Sequence, residues 1–338
     1  MNAERTTGRP PTIADVATAA GVSRATVSRV MNGLATVDRS IADRVMASVR
    51  ELGYRPSGTA RSLSLGVTST VAFIVPDLGN PLFQSILRGF NAAASADGYR
   101  TLVADSGENP DGEPAMVRDA RDRCDAVVLC APRMSADDLD GLVSEVWPAA
   151  VINRPVAGDR VPTARIDYRA GFVELAEHLV SLGHRSIAYL EGPEGSESNR
   201  SRVEGLAEVE SAHPEIAVTR IPCGSGLDDG YQSWAAVEQS GATAVLAFND
   251  LVALGLLGRL AEVGVRVPGR ISVAGFDDVP YARFATPALT TMAADPAEAG
   301  AQAWRQLRAV MRGERSRLAT VYRPQLIVRQ STGVPPAS

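Results

Sequence analysis

The stretch TIADVATAAGVSRATVSRVMNG, residues 12–33, reads as two short helices joined by a tight turn. Thr12 can cap the first helix through its hydroxyl. Ile13, Val16, Ala17 and Ala20 recur at helical spacing and give that helix one apolar face. Gly21 breaks it, since glycine adopts the positive φ that a tight turn needs. Val22 follows as a plug between helices, and Ser23 caps the second one. There Val27, Val30 and Met31 share one face, while Arg24, Ala25, Ser28 and Arg29 lie largely on the other, and Asn32-Gly33 closes the helix. Asp38 can cap a third helix that turns Ile41, Val45, Val49 and Leu52 inward and ends at Gly53. Three such helices over residues 12–55 make a helix-turn-helix, whose second helix enters the major groove of DNA. Arg24 has the donor fork that reads guanine, Ala25 is small enough to touch a thymine methyl, and Ser28 and Arg29 can reach bases or phosphates. On these residues alone a helical hairpin with a solvated polar face stays open as the plainer alternative.

Charge around this head favours a polyanionic partner. Residues 1–64 hold nine Arg against five acids, a net +4, whereas the rest holds 25 basic and 34 acidic residues, a net −9. All 34 basic residues are Arg, and because the bias runs through the acidic body it reads as genome composition. A chain of 338 residues suggests two or three domains, and a hydrophobic fraction of 45% lets each bury a core. No apolar run reaches the ~18 residues of a membrane-spanning helix, and residues 1–10 lack the apolar core of a secretion signal. The expectation is a cytoplasmic, nucleoid-associated protein with no membrane partner. Cys124, Cys130 and Cys223 match no metal or redox spacing and read as small buried fillers. No metal or cofactor is expected.

From Val71 onward short apolar runs alternate with helix-like stretches. Residues 71–75, 99–104, 126–130 and 149–152 read as one set of strands, and 186–190, 219–222, 244–248 and 271–276 as a second. Helices lie between, as over 81–95 and 170–182. Strand–helix alternation implies parallel sheets covered on both faces. Two sets imply two doubly wound lobes, with a ligand at the strand carboxyl ends and in the cleft between them. The fold class is therefore an all-α helix-turn-helix head plus an α/β two-lobed body. The expected divisions are a tail at 1–11, the head at 12–55, a hinge at 56–66, the body at 67–333 and a tail at 334–338. Lobe 1 takes about 67–165 and 293–320, and lobe 2 about 166–290 and 322–333.

The ordered run Thr12 to Ala17, Ala20 to Ser23 and Thr26 to Gly33, followed by Arg44-Val45 and Leu52-Gly53-Tyr54-Arg55-Pro56, resembles the opening of the lactose/galactose-repressor (LacI) family. The body continues the likeness through Asn80-Pro81-Leu82-Phe83, Ile152-Asn153-Arg154-Pro155 and Leu182-Gly183-His184-Arg185. It extends to Phe248-Asn249-Asp250, Gly275-Phe276-Asp277-Asp278 and Pro287-Ala288-Leu289-Thr290-Thr291. These body motifs are also similar to periplasmic sugar-binding proteins, and the likeness spans about Thr12 to Gly333. It implies that Thr12, Ser23, Arg24, Ala25, Thr26, Ser28, Arg29, Asn32 and Tyr54 serve DNA binding.

The hinge Pro56 to Leu63 has one bulky apolar side chain and is too short to be helical alone. The resemblance implies that it folds on the operator and pairs with its dimer mate. Leu63 would wedge into the minor groove, Ala60 would allow close packing, and Arg61 would lie near the groove. Gly58 weakens such a helix, and a flexible linker with Leu63 against the body is the alternative. In the cleft the resemblance implies that Asn80, Phe83, Asn153, Arg154, Arg202, Asn249 and Asp277 face the effector. Plainer roles stay open: Asn80 and Asn249 as helix caps, Arg154 in an inter-lobe ion pair, Phe83 as core. Ala294 and Ser225 depart from the family pattern, which widens the pocket or makes it less sugar-like.

The resulting expectation is a transcriptional regulator, a repressor in sense, that binds a palindromic operator as a homodimer under control of a small polar, carbohydrate-like effector. No catalytic constellation appears: His178, His184 and His213 are scattered, and there is no P-loop or nucleophile elbow. A transporter's solute-binding protein would share the two lobes but needs export and no basic head. A corepressor-dependent sensor of the same build is the nearer alternative.

Overall fold

A computed structural model describes residues 11–31, 37–54, 67–314 and 319–337. The hinge, with Ala60, Arg61 and Leu63, lies outside the described residues, as do Asn32 and most of the N-terminal tail. Contacts divide the chain into Met1–Thr68 and Ser69–Ser338.

The first unit holds α1 (Ile13–Ala20), α2 (Arg24–Met31) and α3 (Arg39–Leu52). Val16, Ala17, Ala20, Val27, Val45 and Val49 form its core, and Val22, Ile41 and Tyr54 pack against it. Gly21 takes φ +63°, and its turn is closed by the Val22 amide donating to the Ala17 carbonyl at 3.0 Å. Ser23 caps α2 by accepting from the Thr26 amide at 3.1 Å, and Asp38 caps α3 through the Ser40 amide at 2.8 Å. One expectation is borne out with an addition, and one is corrected. Thr12 and Asp15 form a reciprocal capping box at the start of α1, in which the Thr12 side chain accepts from the Asp15 amide and the Asp15 carboxylate accepts from the Thr12 amide at 2.7 Å. Leu52, in the last turn of α3, is 38% exposed and not inward.

In the second unit, six parallel strands in the order β11-β5-β4-β3-β1-β2 form lobe 1: β1 (Thr70–Val75), β2 (Arg100–Asp105), β3 (Ala126–Cys130), β4 (Ala149–Ile152), β5 (Thr163–Ile166) and β11 (Ala319–Tyr322). β3 and β4 are buried on both faces, which is why they read as unbroken apolar runs. Lobe 2 has four parallel strands in the order β7-β6-β8-β9: β6 (Ser186–Glu191), β7 (Ala217–Pro222), β8 (Ala244–Ala247) and β9 (Ser272–Ala274). An antiparallel pair, β10 (Thr291–Ala293) with β12 (Gln325–Ile327), stands beside it. Strands β5, β10, β11 and β12 were not expected; they are three or four residues long and mostly lack a continuous apolar run. Pairing of β5 with β11 carries lobe 1 through Ile166 and Tyr322.

The chain passes between lobes three times, after Ile166, after Ala293 and after Tyr322. α12 (Pro296–Met311) is thereby returned to lobe 1, where it packs on α4 (Pro81–Ala96). Trp304 seals that contact: it is 1% exposed, stands edge-on to Phe90 and donates from Nε1 to Asp97 at 2.7 Å. At the foot of lobe 2, buried His184 bonds the Thr243 and Ser272 hydroxyls and the Gly333 carbonyl, tying down the C-terminal segment. Trp304→Ala should lower stability by about 3–5 kcal/mol in denaturant titration; a loss under about 1 kcal/mol would mean that α12 does not depend on this side chain.

Candidate functional site

The carboxyl ends of the two sheets face one cavity. From lobe 1 come Asn80, Leu82, Phe83, Glu108, Ala131 and Arg133; from lobe 2, Tyr168, Ser198, Arg202, Ser225, Phe248, Asn249 and Asp277. The free volume is about 20 Å³, room for about one water, against roughly 300–1,000 Å³ in typical ligand pockets. The cleft is closed.

Arg202, on α8 (Glu197–Ala212), governs this cavity. It is 1% exposed, and its guanidinium carbon stands 4.4 Å from the Tyr168 ring centre and 4.5 Å from those of Phe248 and Phe276. Such faces attract a cation. Nη1 donates to the Ser198 carbonyl at 3.0 Å, while Nε has no partner. Asp277 lines the same cavity at φ +110°, 6% exposed, and its Oδ1 likewise has no partner. Burial pushes the Asp277 carboxyl up to about 7, with Arg202 pulling it back down. Arg202 and Asp277 thus line one cavity, and each has a buried polar atom that no protein group satisfies.

Other expected residues divide. Asn80 and Asn249 line the cavity and also cap helices: Asn80 accepts from the Leu82 amide at 2.9 Å, and Asn249 from the Val252 amide at 2.9 Å. Asn249 further donates to the Ser225 carbonyl at 2.9 Å. Phe83 is both core and wall. Asn153 and Arg154 are not among the lining residues. The Asn153 Oδ1 splints β4 to β5 by accepting from the Ile166 amide at 3.0 Å, and its Nδ2 is unpartnered. Arg154, 4% exposed, donates to the Pro132 carbonyl at 2.6 Å. Ala294 lies off the cavity and packs on the core.

Sequence reasoning missed Glu108, Arg133, Tyr168, Ser198 and Phe248. Glu108 and Arg133 lie just beyond the carboxyl ends of β2 and β3, where a ligand in such a sheet is expected. Ser198 and Arg202 are one helical turn apart, a spacing that was available.

On the head, Arg24, Ala25 and Arg29 are exposed along α2, and Ser28 is half-buried beside them. The hydroxyls of Ser23 and Thr26 bond each other at 2.9 Å. Tyr54 is half-buried against the head core.

Residues 12–57 match the model of bacterial regulatory proteins of the lacI family, and residues 176–332 that of periplasmic binding protein-like domains. The chain is 30% identical over 332 residues to the HTH-type transcriptional regulator DegA of Bacillus subtilis (strain 168), covering 95% of this chain and 98% of that one. The chain belongs to the LacI family. Another relative in that family is the regulator GalR of Escherichia coli (strain K12), 30% identical over 331 residues, with 96% of each chain covered. A lac repressor dimer bound to operator and the anti-inducer ONPF superposes with TM-score 0.84 at 26% identity, covering 96% of this chain and all of that one. A CelR–cellobiose complex does so with TM-score 0.70 at 28% identity, over 95% and 99%.

In this LacI-family chain the Asp277 loop is braced from behind by Asp250. That buried carboxylate accepts from the Thr291 hydroxyl at 2.6 Å and the Val279 amide at 2.8 Å, and the Asp250 amide donates to the Phe276 carbonyl at 2.9 Å. Burial, with Asp277 adding to it, raises the Asp250 carboxyl well above its ordinary range. Gly192 has a comparable bracing role for Arg202, since a Cβ there would lie 2.3 Å from the Phe248 ring. Gly192→Ala should therefore displace that ring and cost about 1–3 kcal/mol of stability, measured by thermal and chemical unfolding; an unaltered midpoint would show that the cage has slack.

Proposed function

We propose that this LacI-family transcriptional regulator represses from a palindromic operator as a homodimer, and that a small carbohydrate-like effector in the cleft sets its operator affinity. The observation that carries this reading is that Arg202 and Asp277 line one cavity and each has a buried polar atom with no protein partner. A sugar hydroxyl accepts from one and donates to the other, or two neighbouring hydroxyls divide the task. Asn80 and Asn249 add amide groups, and Phe83 offers an apolar face for a ring. The relatives' names support the class: a ribose operon repressor of Halalkalibacterium halodurans and a solved LacI-family regulator of Enterococcus faecium with bound ribose.

Because the closed cleft has no room for a sugar, binding requires the lobes to part along the three connectors. That motion is the bistable element an effector can bias. On the DNA side, Arg24, Ala25, Ser28 and Arg29 read the groove. Thr12, Ser23 and Thr26 hold the ends of the two helices, while Tyr54 backs the head core. Leu63, with Ala60 and Arg61, serves as the minor-groove wedge. The basic head and the regulator relatives support a regulatory and non-catalytic reading, with the protein acting on DNA inside the cell.

Coupling between the sites must be reciprocal. Fluorescence anisotropy with operator DNA, and calorimetry with and without it, should give the same factor for effector on operator and operator on effector. Arg202→Ala should keep operator binding and abolish the response; a retained response would place the effector elsewhere. A hydroxyl that donates to Asp277 requires the carboxylate. Since that carboxyl titrates at about 7, effector affinity should rise with pH through about 6 to 8, by up to about tenfold per unit below 7. The slope should vanish in Asp277→Asn; a slope kept by that variant would assign the proton to another group.

A further inference from the structure

The cavity walls carry four charged side chains, two of each sign. On the lobe 1 side Arg133 is 7% exposed and gripped by Glu108: Nη2 donates to Oε1 at 2.8 Å, and Nε donates to Oε2. Nη1 of Arg133 donates to the Ala131 carbonyl at 3.1 Å. The turn that carries Arg133 is itself seated on buried Glu113, which accepts from the Arg133 amide at 2.8 Å and the Met134 amide at 3.1 Å. Arg154 does not line the cavity and donates from Nη1 to the Pro132 carbonyl. On the lobe 2 side Arg202 and Asp277 face the cavity with no direct ion pair between them, each keeping one unpartnered atom.

We infer that the effector is an uncharged polyhydroxy compound and that Glu108 is the residue that excludes anions, by occupying the Arg133 fork. The inference rests on the effector reading of the cleft. An anion entering a buried site loses its hydration and must find a cation that is not already paired. A bare guanidinium fork would be such a group, since it grips phosphate and carboxylate through two parallel hydrogen bonds. Here the Glu108 carboxylate already holds that position. The other guanidinium, Arg202, is enclosed by its three rings and donates from Nη1 to the Ser198 carbonyl, so it does not present an open fork as a bare Arg133 would. An added positive charge would have to compete with Arg133 for Glu108. Hydroxyl groups suit the remaining atoms: one donor at Arg202, one acceptor at Asp277, and the amides of Asn80 and Asn249.

The test is calorimetric titration of the full-length protein with ribose, galactose, glucose and cellobiose, and with the phosphate monoesters of the three monosaccharides. Binding should fall within the neutral series, and the ester of any monosaccharide that binds should be at least tenfold weaker. Glu108→Gln leaves Arg133 unbalanced and should shift the ratio of ester to parent sugar at least tenfold towards the ester. The double variant Glu108→Gln/Arg133→Gln, neutral again, should restore the preference. Wild-type protein that binds an ester more tightly than its parent would overturn the charge assignment while leaving an effector cleft, and that comparison needs no variant. An unchanged ratio in Glu108→Gln would overturn the role of Glu108. Failure of both series to bind would remove the carbohydrate reading, and this inference with it.

Discussion

Burial of the Arg202 guanidinium among Tyr168, Phe248 and Phe276 is the interaction around which the cleft is built. A cation 1% exposed has lost its hydration, and three ring faces with one carbonyl return part of that loss. The cage is assembled from distant parts of the chain: Tyr168 begins α7 (Tyr168–Ser181), Phe248 follows β8 and Phe276 follows β9. Each ring is therefore at a strand end or just past a crossing, and the sheet must be built before the cage exists. Gly192 keeps the Phe248 ring in place by lacking a side chain, and Asp250 holds the loop that turns Asp277 into the cavity.

The same arrangement bears on how the cleft can respond to a ligand. Arg202 and Asp277 line a cavity of about 20 Å³, and each has a buried polar atom that no protein group satisfies. Parting of the lobes admits water or a ligand, and the three connectors after Ile166, Ala293 and Tyr322 are the places where the backbone can take up that motion. Where ligand contacts form only as the lobes move, ligand binding and lobe position are linked, which suits a switch.

Much of this was legible in the sequence where one periodicity dominates. The head was readable because Val16, Ala17, Val27, Val45 and Val49 fall at helical spacing and Gly21 can only be a turn. β3 and β4 were readable to the residue because strands buried on both faces are unbroken apolar runs. β5, β10, β11 and β12 were not, since strands of three or four residues carry too little pattern and exist through their neighbours. In the cleft, resemblance led to Asn80, Phe83, Arg202, Asn249 and Asp277, which the fold brings together. It also led to Asn153 and Arg154, which the fold uses to splint lobe 1. Glu108 and Arg133 escaped notice because a pair 25 residues apart becomes a pair only when β2 and β3 lie in one sheet.

The most direct measurement is a crystal structure of the full chain with a neutral sugar that binds it. The account predicts sugar oxygens within about 3.2 Å of both Asp277 Oδ1 and Arg202 Nε, in a cleft wider than the closed one. A sugar bound elsewhere, with those two atoms still unpartnered and the cleft still shut, would contradict it.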